Sequence, residues 1–182
     1  REVDAICQVV RCFEDENITH VAGKVDPIAD IETINLELVL ADLESVDKRI
    51  ARVAKIAKTK DKDAVAELAV LEKIKPVLED GQLARTIEFT DDELPIVKGL
   101  FLLTTKPMLY IANISEDDVA EGGHNQYVQL VEEYAAKEDA EVVVICARVE
   151  EEVAELEEEE KQVFLEEMGI ETSGLDVLIQ KA

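Results

Sequence analysis

Pro107-Met108-Leu109-Tyr110-Ile111-Ala112-Asn113 is an apolar run without alternation, closed by an asparagine, and its reading decides the fold. A second such run, Val142-Val143-Val144-Ile145-Cys146, ends at Ala147. Between them, Gln126 to Lys137 places Tyr127, Leu130, Val131, Tyr134 and Ala135 three or four residues apart, on one helical face. Strands that are apolar at every position suit a sheet covered on both faces, so the order strand, helix, strand predicts a parallel crossover unit. Such a unit is right-handed in nearly all proteins and brings Asn113 and Ala147 to one carboxyl edge, where open α/β sheets bind ligands. Upstream, Ala5 to Phe13 reads as another strand, stopping at the acidic Glu14-Asp15-Glu16-Asn17. Downstream, Glu159 to Met168 reads as a helix stopped by Gly169, and a last helix starts at Ser173 with Asp176 as its capping partner.

A different pattern interrupts the sheet from about Asp26 to Gly99. Asp26-Pro27 is a helix-start signal, and Val39, Leu43, Val46, Ile50, Val53 and Ala57 then follow heptad spacing. The polar connector from Lys58 to Asp63 leads to a second amphipathic run with Ala64, Leu68, Leu71, Ile74 and Leu78, ended by Gly81. The pair reads as an antiparallel helical hairpin whose first arm, at ~28 residues, is roughly 40 Å long. Pro76 lacks a backbone donor and predicts a kink or break in the second arm. Thr90-Asp91-Asp92-Glu93 predicts a short helix through Val97. The hairpin is compatible with an arm that contacts a partner and with two core helices packed on the sheet; heptad spacing favours the arm. The fold class is thus α/β, a mostly parallel sheet with an inserted coiled-coil hairpin, divided as 1–25 and 100–182 for the sheet and 26–99 for the arm.

The chain has 182 residues, 47% of them hydrophobic, with 19 Lys plus Arg against 43 Asp plus Glu and a net charge of −24. Its length supports one ordinary core or a core with an appendage. The charge argues against a broad basic DNA-binding groove, and aromatics at 4% leave few platforms for stacking on single strands. No stretch reaches the roughly 18 to 20 apolar residues of a membrane span, and no signal pattern opens the chain, so a cytoplasmic protein is expected. Cys7, Cys12 and Cys146 sit in or beside apolar runs and read as buried thiols.

At the expected carboxyl edge stand Asn113-Ile114-Ser115-Glu116-Asp117-Asp118 and Cys146-Ala147-Arg148-Val149-Glu150. An asparagine offers both a donor and an acceptor, suited to a base edge or to tying the two loops together, and the Ala147 amide is a possible donor to a ring substituent. An asparagine ending a strand also serves as a turn former, and spacing alone leaves both readings open.

Val10-Arg11-Cys12-Phe13-Glu14-Asp15-Glu16-Asn17-Ile18-Thr19-His20-Val21-Ala22-Gly23-Lys24-Val25-Asp26-Pro27, then Asp30 to Asn35, Leu103 to Asn113 and Cys146-Ala147, closely resemble the Obg-like ATPase family, YchF branch, and the resemblance covers essentially the whole chain. It implies the second half of a P-loop NTPase domain. Where GTPases carry Asn-Lys-x-Asp, this family has Asn-x-x-Glu, here Asn113, Ile114, Ser115 and Glu116. The family prefers ATP to GTP, which fits: a well-placed Asp accepts from the paired donors of guanine, whereas Glu is longer and adenine has no such pair. The resemblance implies adenine contacts from Ile114, closure of the base site by Cys146 and Ala147, and an aromatic contact from Phe13.

The departures are equally informative. No Gly-Lys-Ser or Gly-Lys-Thr phosphate loop occurs, and only Gly122-Gly123 comes near a glycine-rich turn. The family's switch segments and small β-rich TGS domain are also missing, so the chain is expected to be an internal piece. ATP and Mg2+ are then cofactors of the longer protein, held by groups outside this chain, with no catalytic or metal-binding residue expected within it. The piece is expected to bind ATP feebly and not to hydrolyse it. The family's association with the ribosome makes Lys55, Lys58, Lys60 and Lys62, clustered at the arm tip, a possible RNA contact. A non-enzymatic interaction module built on the hairpin is the alternative. His20 reads as structural, and the acidic run Glu150 to Glu160 reads either as a solvated helix face or as a surface for a metal or cationic partner.

Overall fold

The structure, a computed structural model, describes residues 3–14, 24–170 and 172–181, and at Glu158 the backbone alone. In chain order the elements are β1 (Ile6–Arg11), α1 (Pro27–Ala57), α2 (Lys62–Glu79), a 3-10 turn (Ala84–Thr86), α3 (Leu94–Leu100), β2 (Met108–Asn113), α4 (Glu116–Ala120), α5 (Gln126–Lys137), β3 (Glu141–Ile145), α6 (Ala147–Glu155), α7 (Glu158–Glu167) and α8 (Gly174–Lys181). They form two compact units, Arg1–Ile6 with Glu32–Pro107 and Cys7–Ile31 with Met108–Ala182. The acidic turn after Glu14 and His20 lie outside the described residues.

The sheet has the order β1-β2-β3. β2 and β3 are parallel from Leu109 opposite Glu141 to Asn113 opposite Ile145. β1 runs the same way beside β2: the Ile6 amide donates to the Pro107 carbonyl (3.0 Å) and, further on in step, the Cys12 amide to the Asn113 carbonyl (2.8 Å). β2 is central and buried on both faces, as its unbroken apolar run requires. β1 departs from that expectation. Gln8, Val10 and Cys12 point inward while Val9 is 64% exposed, the alternation of an edge strand with one covered face. Cys7 is accordingly exposed, correcting the expectation of three buried thiols, whereas Cys12 and Cys146 are buried. Burial, reinforced by Asp118 and Asp30, pushes the Cys12 thiol up to about 12.

α5 keeps its expected span, and its face is shifted. Val128, Val131 and Ala135 are the buried residues, while Leu130 is 43% exposed. Tyr134 stands edge-on to the fully buried Tyr110 of β2, with centroids 6.0 Å apart, and the Tyr110 hydroxyl donates to Glu138 (2.8 Å). The acidic run is split between α6 and α7. Val149 and Val153 are buried on α6, while Glu151, Glu152 and Glu155 face solvent. The Ser173 hydroxyl accepts the Asp176 amide (3.1 Å) at the start of α8.

The other unit is built on the hairpin. Asp61 caps α2 through the Ala64 amide (2.8 Å), while the cap of α1, where Asp26 accepts the Ala29 amide (3.1 Å), belongs to the sheet unit. All six heptad positions of α1 meet Ala64, Leu68, Leu71, Ile74 and Leu78 of α2 in one core. Ion pairs Arg49 to Glu67 and Asp47 to Lys75 (2.7 Å) run in opposite senses along the chain, as antiparallel helices demand. The seam is not sealed by two helices alone: Leu83, Ala84, Val97 and Leu102 also belong to it. α2 does not break at Pro76 but continues to Glu79. Proline there removes one amide within a turn of the helix end, where the neighbours Ile74 and Leu78 are fully packed. The Thr90 motif forms half a capping box: Glu93 accepts the Thr90 amide (2.9 Å) just before α3.

Candidate functional site

Because β2 and β3 are parallel and in register, they end together. The Ile114 amide extends the ladder to the Ile145 carbonyl (2.8 Å). One residue earlier, the Asn113 side chain crosses between the strand ends: its Oδ1 accepts the Ala147 amide at 2.9 Å. The first amides of a helix lack intrahelical partners, and this contact satisfies one of them at the start of α6. Asn113 thus ties the two loops together, and its Nδ2 has no partner among the described residues. The Ala147 amide, expected as a possible donor to a ring substituent, is engaged by Asn113 instead.

The loop after β2 is shorter than its sequence implies, because α4 begins almost at once. Ser115 caps it: its hydroxyl accepts the Asp118 amide (3.2 Å) and donates to Asp118 Oδ2 (2.6 Å), while Asp118 Oδ2 also accepts the Ser115 amide (3.2 Å). Burial pushes the Asp118 carboxyl up, but the Ser115 hydrogen bonds, with Asn125, outweigh it and hold it below the ordinary aspartate value. On the third side, the segment after β1 is pinned from both flanks. Asn125 caps α5 through Oδ1, accepting the amides of Tyr127 and Val128, and donates from Nδ2 to the Cys12 carbonyl (2.7 Å). The Tyr127 hydroxyl donates to Glu14. Arg11 Nε donates to the Phe13 carbonyl (3.0 Å), and its guanidinium lies 5.1 Å from the centroid of the Phe13 ring.

These three segments line an open cavity of about 270 Å³ bounded by Phe13, Asn113, Ile114, Glu116 and Cys146, with Glu14, Ser115, Asp117 and Arg148 completing the wall. That volume is at the small end for ligand sites, suited to one ring system with a few polar contacts. Five of the six residues expected to meet a base line it; Ala147 does not, and acts on it through Asn113. Ile114 is 4% exposed and Cys146 6%. Arg148 was not singled out by the sequence. Its Nε lies 3.3 Å from Glu116 Oε2, joining the first turns of α6 and α4. A second cavity, about 250 Å³ and lined by Val119, Val144, Val149, Glu150 and Val177 among others, shares only Ile114 and Cys146 with the first. Glu150 is committed there, accepting the Gly174 amide (2.6 Å).

Elsewhere, Lys55, Lys58, Lys60 and Lys62 are all exposed around the α1-α2 turn, and none has an ion-pair partner among the described residues. Among the described residues, no group of three His, Cys, Asp or Glu side chains is placed to hold a metal ion. No helix among them is long and apolar enough to cross a membrane.

No protein-family model matches the chain. It is 62% identical over 180 residues to the ribosome-binding ATPase YchF of Bacillus subtilis, covering 99% of this chain and 49% of that protein. The protein of the same name from Haemophilus ducreyi is 52% identical over the same shares, and that from Mycoplasma genitalium 38% identical over all of this chain and 50% of its own length. Among solved structures, the YchF GTPase of Schizosaccharomyces pombe superposes with a TM-score of 0.82 at 33% identity, over 98% of this chain and 49% of that one. The chain spans about half the length of the curated relatives it matches.

Proposed function

We propose, for a chain that belongs to the YchF branch of the Obg-like ATPase family, that the cavity at the carboxyl ends of β2 and β3 receives the purine base of ATP. The relatives' names divide between ATPase and GTPase, so base choice is the question on which this cavity bears. The observation that carries the reading is the Asn113 bridge to the Ala147 amide, because it holds both loops at one spacing before any ligand arrives. With Oδ1 so engaged, Nδ2 is left to donate to a ring nitrogen of the base. Ile114 supplies a buried apolar surface for the ring, and Phe13, backed by Arg11, supplies an aromatic wall. Glu116 offers an acceptor longer than the aspartate that reads guanine. Base contacts of this kind select a nucleotide; phosphate contacts supply most of its affinity, and this sequence carries no Gly-Lys-Ser or Gly-Lys-Thr loop.

Hydrolysis of ATP by water attacking the γ-phosphate, and the Mg2+ that serves it, are therefore proposed for the protein at its relatives' full length, with this chain providing base recognition. In that protein, Asn113→Ala is expected to weaken ATP binding about tenfold, close to 1.4 kcal/mol, by calorimetric titration. Unchanged affinity would remove the base site from this cavity and leave the alternative of a non-enzymatic interaction module, which the separate core of the helical unit favours.

The partner we propose is the ribosome, met through RNA at the hairpin tip, and a cytoplasmic location follows from it. In a protein of net charge −24, four exposed lysines on one turn are a local exception that a phosphate backbone would select. Reversing all four to Glu is expected to lower ribosome co-sedimentation severalfold, more steeply at low salt. Retention equal to the parent protein would place the contact elsewhere.

A further inference from the structure

We propose that Arg148 is a specificity-determining residue of the base cavity, acting by holding the Glu116 carboxylate away from guanine. This rests on the reading of that cavity as the purine site. On the cavity wall, Glu14, Glu116 and Asp117 are acidic and Arg148 is the one cation among the described lining residues. A carboxylate left unpaired there would accept well from the ring N–H and amino group of guanine, and a merely longer side chain does not remove that capability. Glu116 is not left unpaired. Its Oε2 lies 3.3 Å from Arg148 Nε, with the two side chains reaching toward each other from separate helices.

The pairing acts on guanine and adenine differently. It engages one of the two carboxylate oxygens that guanine's adjacent donors need, and it sets a donor-only guanidinium beside them. Adenine loses less, because its ring nitrogens at the corresponding edge are acceptors. Arg148 also reduces the repulsion that three carboxylates impose on any polyphosphate, and this helps both nucleotides alike. Its selective effect is therefore read in the ratio of affinities and its general effect in both values together. The side chains are 72% and 41% exposed, so the pair is of the solvent-screened kind and the effect is modest and salt-dependent.

The test is calorimetric titration of ATP and GTP into the protein at its relatives' full length. Arg148→Ala is expected to raise the GTP-to-ATP affinity ratio three- to fivefold, Arg148→Lys to raise it less, and Arg148→Ala in a Glu116→Gln background to leave it unchanged. In the parent protein the ratio is expected to rise with added salt as the pair is screened, and in Arg148→Ala to become flat. An unchanged ratio overturns the proposal, and so does a lower one, which would mean that Arg148 itself binds guanine. Asn113→Ala separates the two readings. If it weakens ATP binding while Arg148→Ala leaves the ratio alone, only the role of Arg148 fails; if it has no effect, the base site and this proposal fail together.

Discussion

Asp42→Ala is expected to destabilise the helical unit by about 3 kcal/mol, the loss of two charge-assisted hydrogen bonds, one to a buried and one to a part-buried amide. Asp42 is fully buried on α1, where Oδ1 accepts the Leu103 amide (3.0 Å) and Oδ2 the Thr104 amide (2.7 Å). The carboxyl group thus fixes the turn between α3 and β2 to the middle of the long helix. Truncation strands the Thr104 amide in a buried site and leaves the part-buried Leu103 amide unpaired, whereas Asp42→Asn keeps one acceptor and should cost about half as much. The neighbouring Thr104 supplies the control. Its hydroxyl is buried without a partner among the described residues, so Thr104→Val, equal in size and lacking that group, should be neutral or slightly stabilising. Urea unfolding followed by far-ultraviolet circular dichroism reads both. An Asp42→Ala midpoint within error of the parent would mean that the turn finds other acceptors.

Nothing in the sequence marks Asp42, and the reason is instructive. An acidic residue in a helix with heptad spacing is assigned to the solvated face, and its partners lie more than sixty positions away. What was legible was whatever local pattern dictates alone. β2 declared itself because both faces are covered, β3 because its run is apolar although only Val143 is fully buried, and α1 and α2 because their seam repeats. β1 reads as a strand from its run, but that one of its faces is exposed depends on its neighbours, which the run does not show. α4 was hidden inside a presumed loop although Ser115 and Asp118 spell its capping box, since five residues are too few for periodicity to register. α6 carries only Val149 and Val153 on its buried side among glutamates, so its acidity dominated the reading. Parallel register places Asn113 and Ala147 at one carboxyl edge from the sequence alone, whereas Cys146 enters the expected base site only through the family resemblance. Arg148 could not be placed in advance, because its meeting with Glu116 depends on how two helices leave the sheet.

Exchanging Ile114 for Lys together with Glu116 for Asp is expected to shift the GTP-to-ATP affinity ratio of the protein at its relatives' full length by about a hundredfold toward GTP, close to 2.7 kcal/mol. Each half of the exchange does a different job. A lysine at 114 starts from a position that is 4% exposed between two cavities, so its stem can lie along the ring while its ammonium reaches water. An aspartate at 116 is one methylene shorter, which weakens its pairing with Arg148 and returns the carboxylate to the donors of guanine. Glu116→Asp alone should recover part of the shift, and Ile114→Lys alone mainly stability cost, because a buried apolar contact is lost without a new acceptor. The two changes are in neighbouring positions and should couple, giving more together than the sum of the single effects. A folded double variant with the parent's selectivity would show that base choice is made outside the loops after β2 and β3.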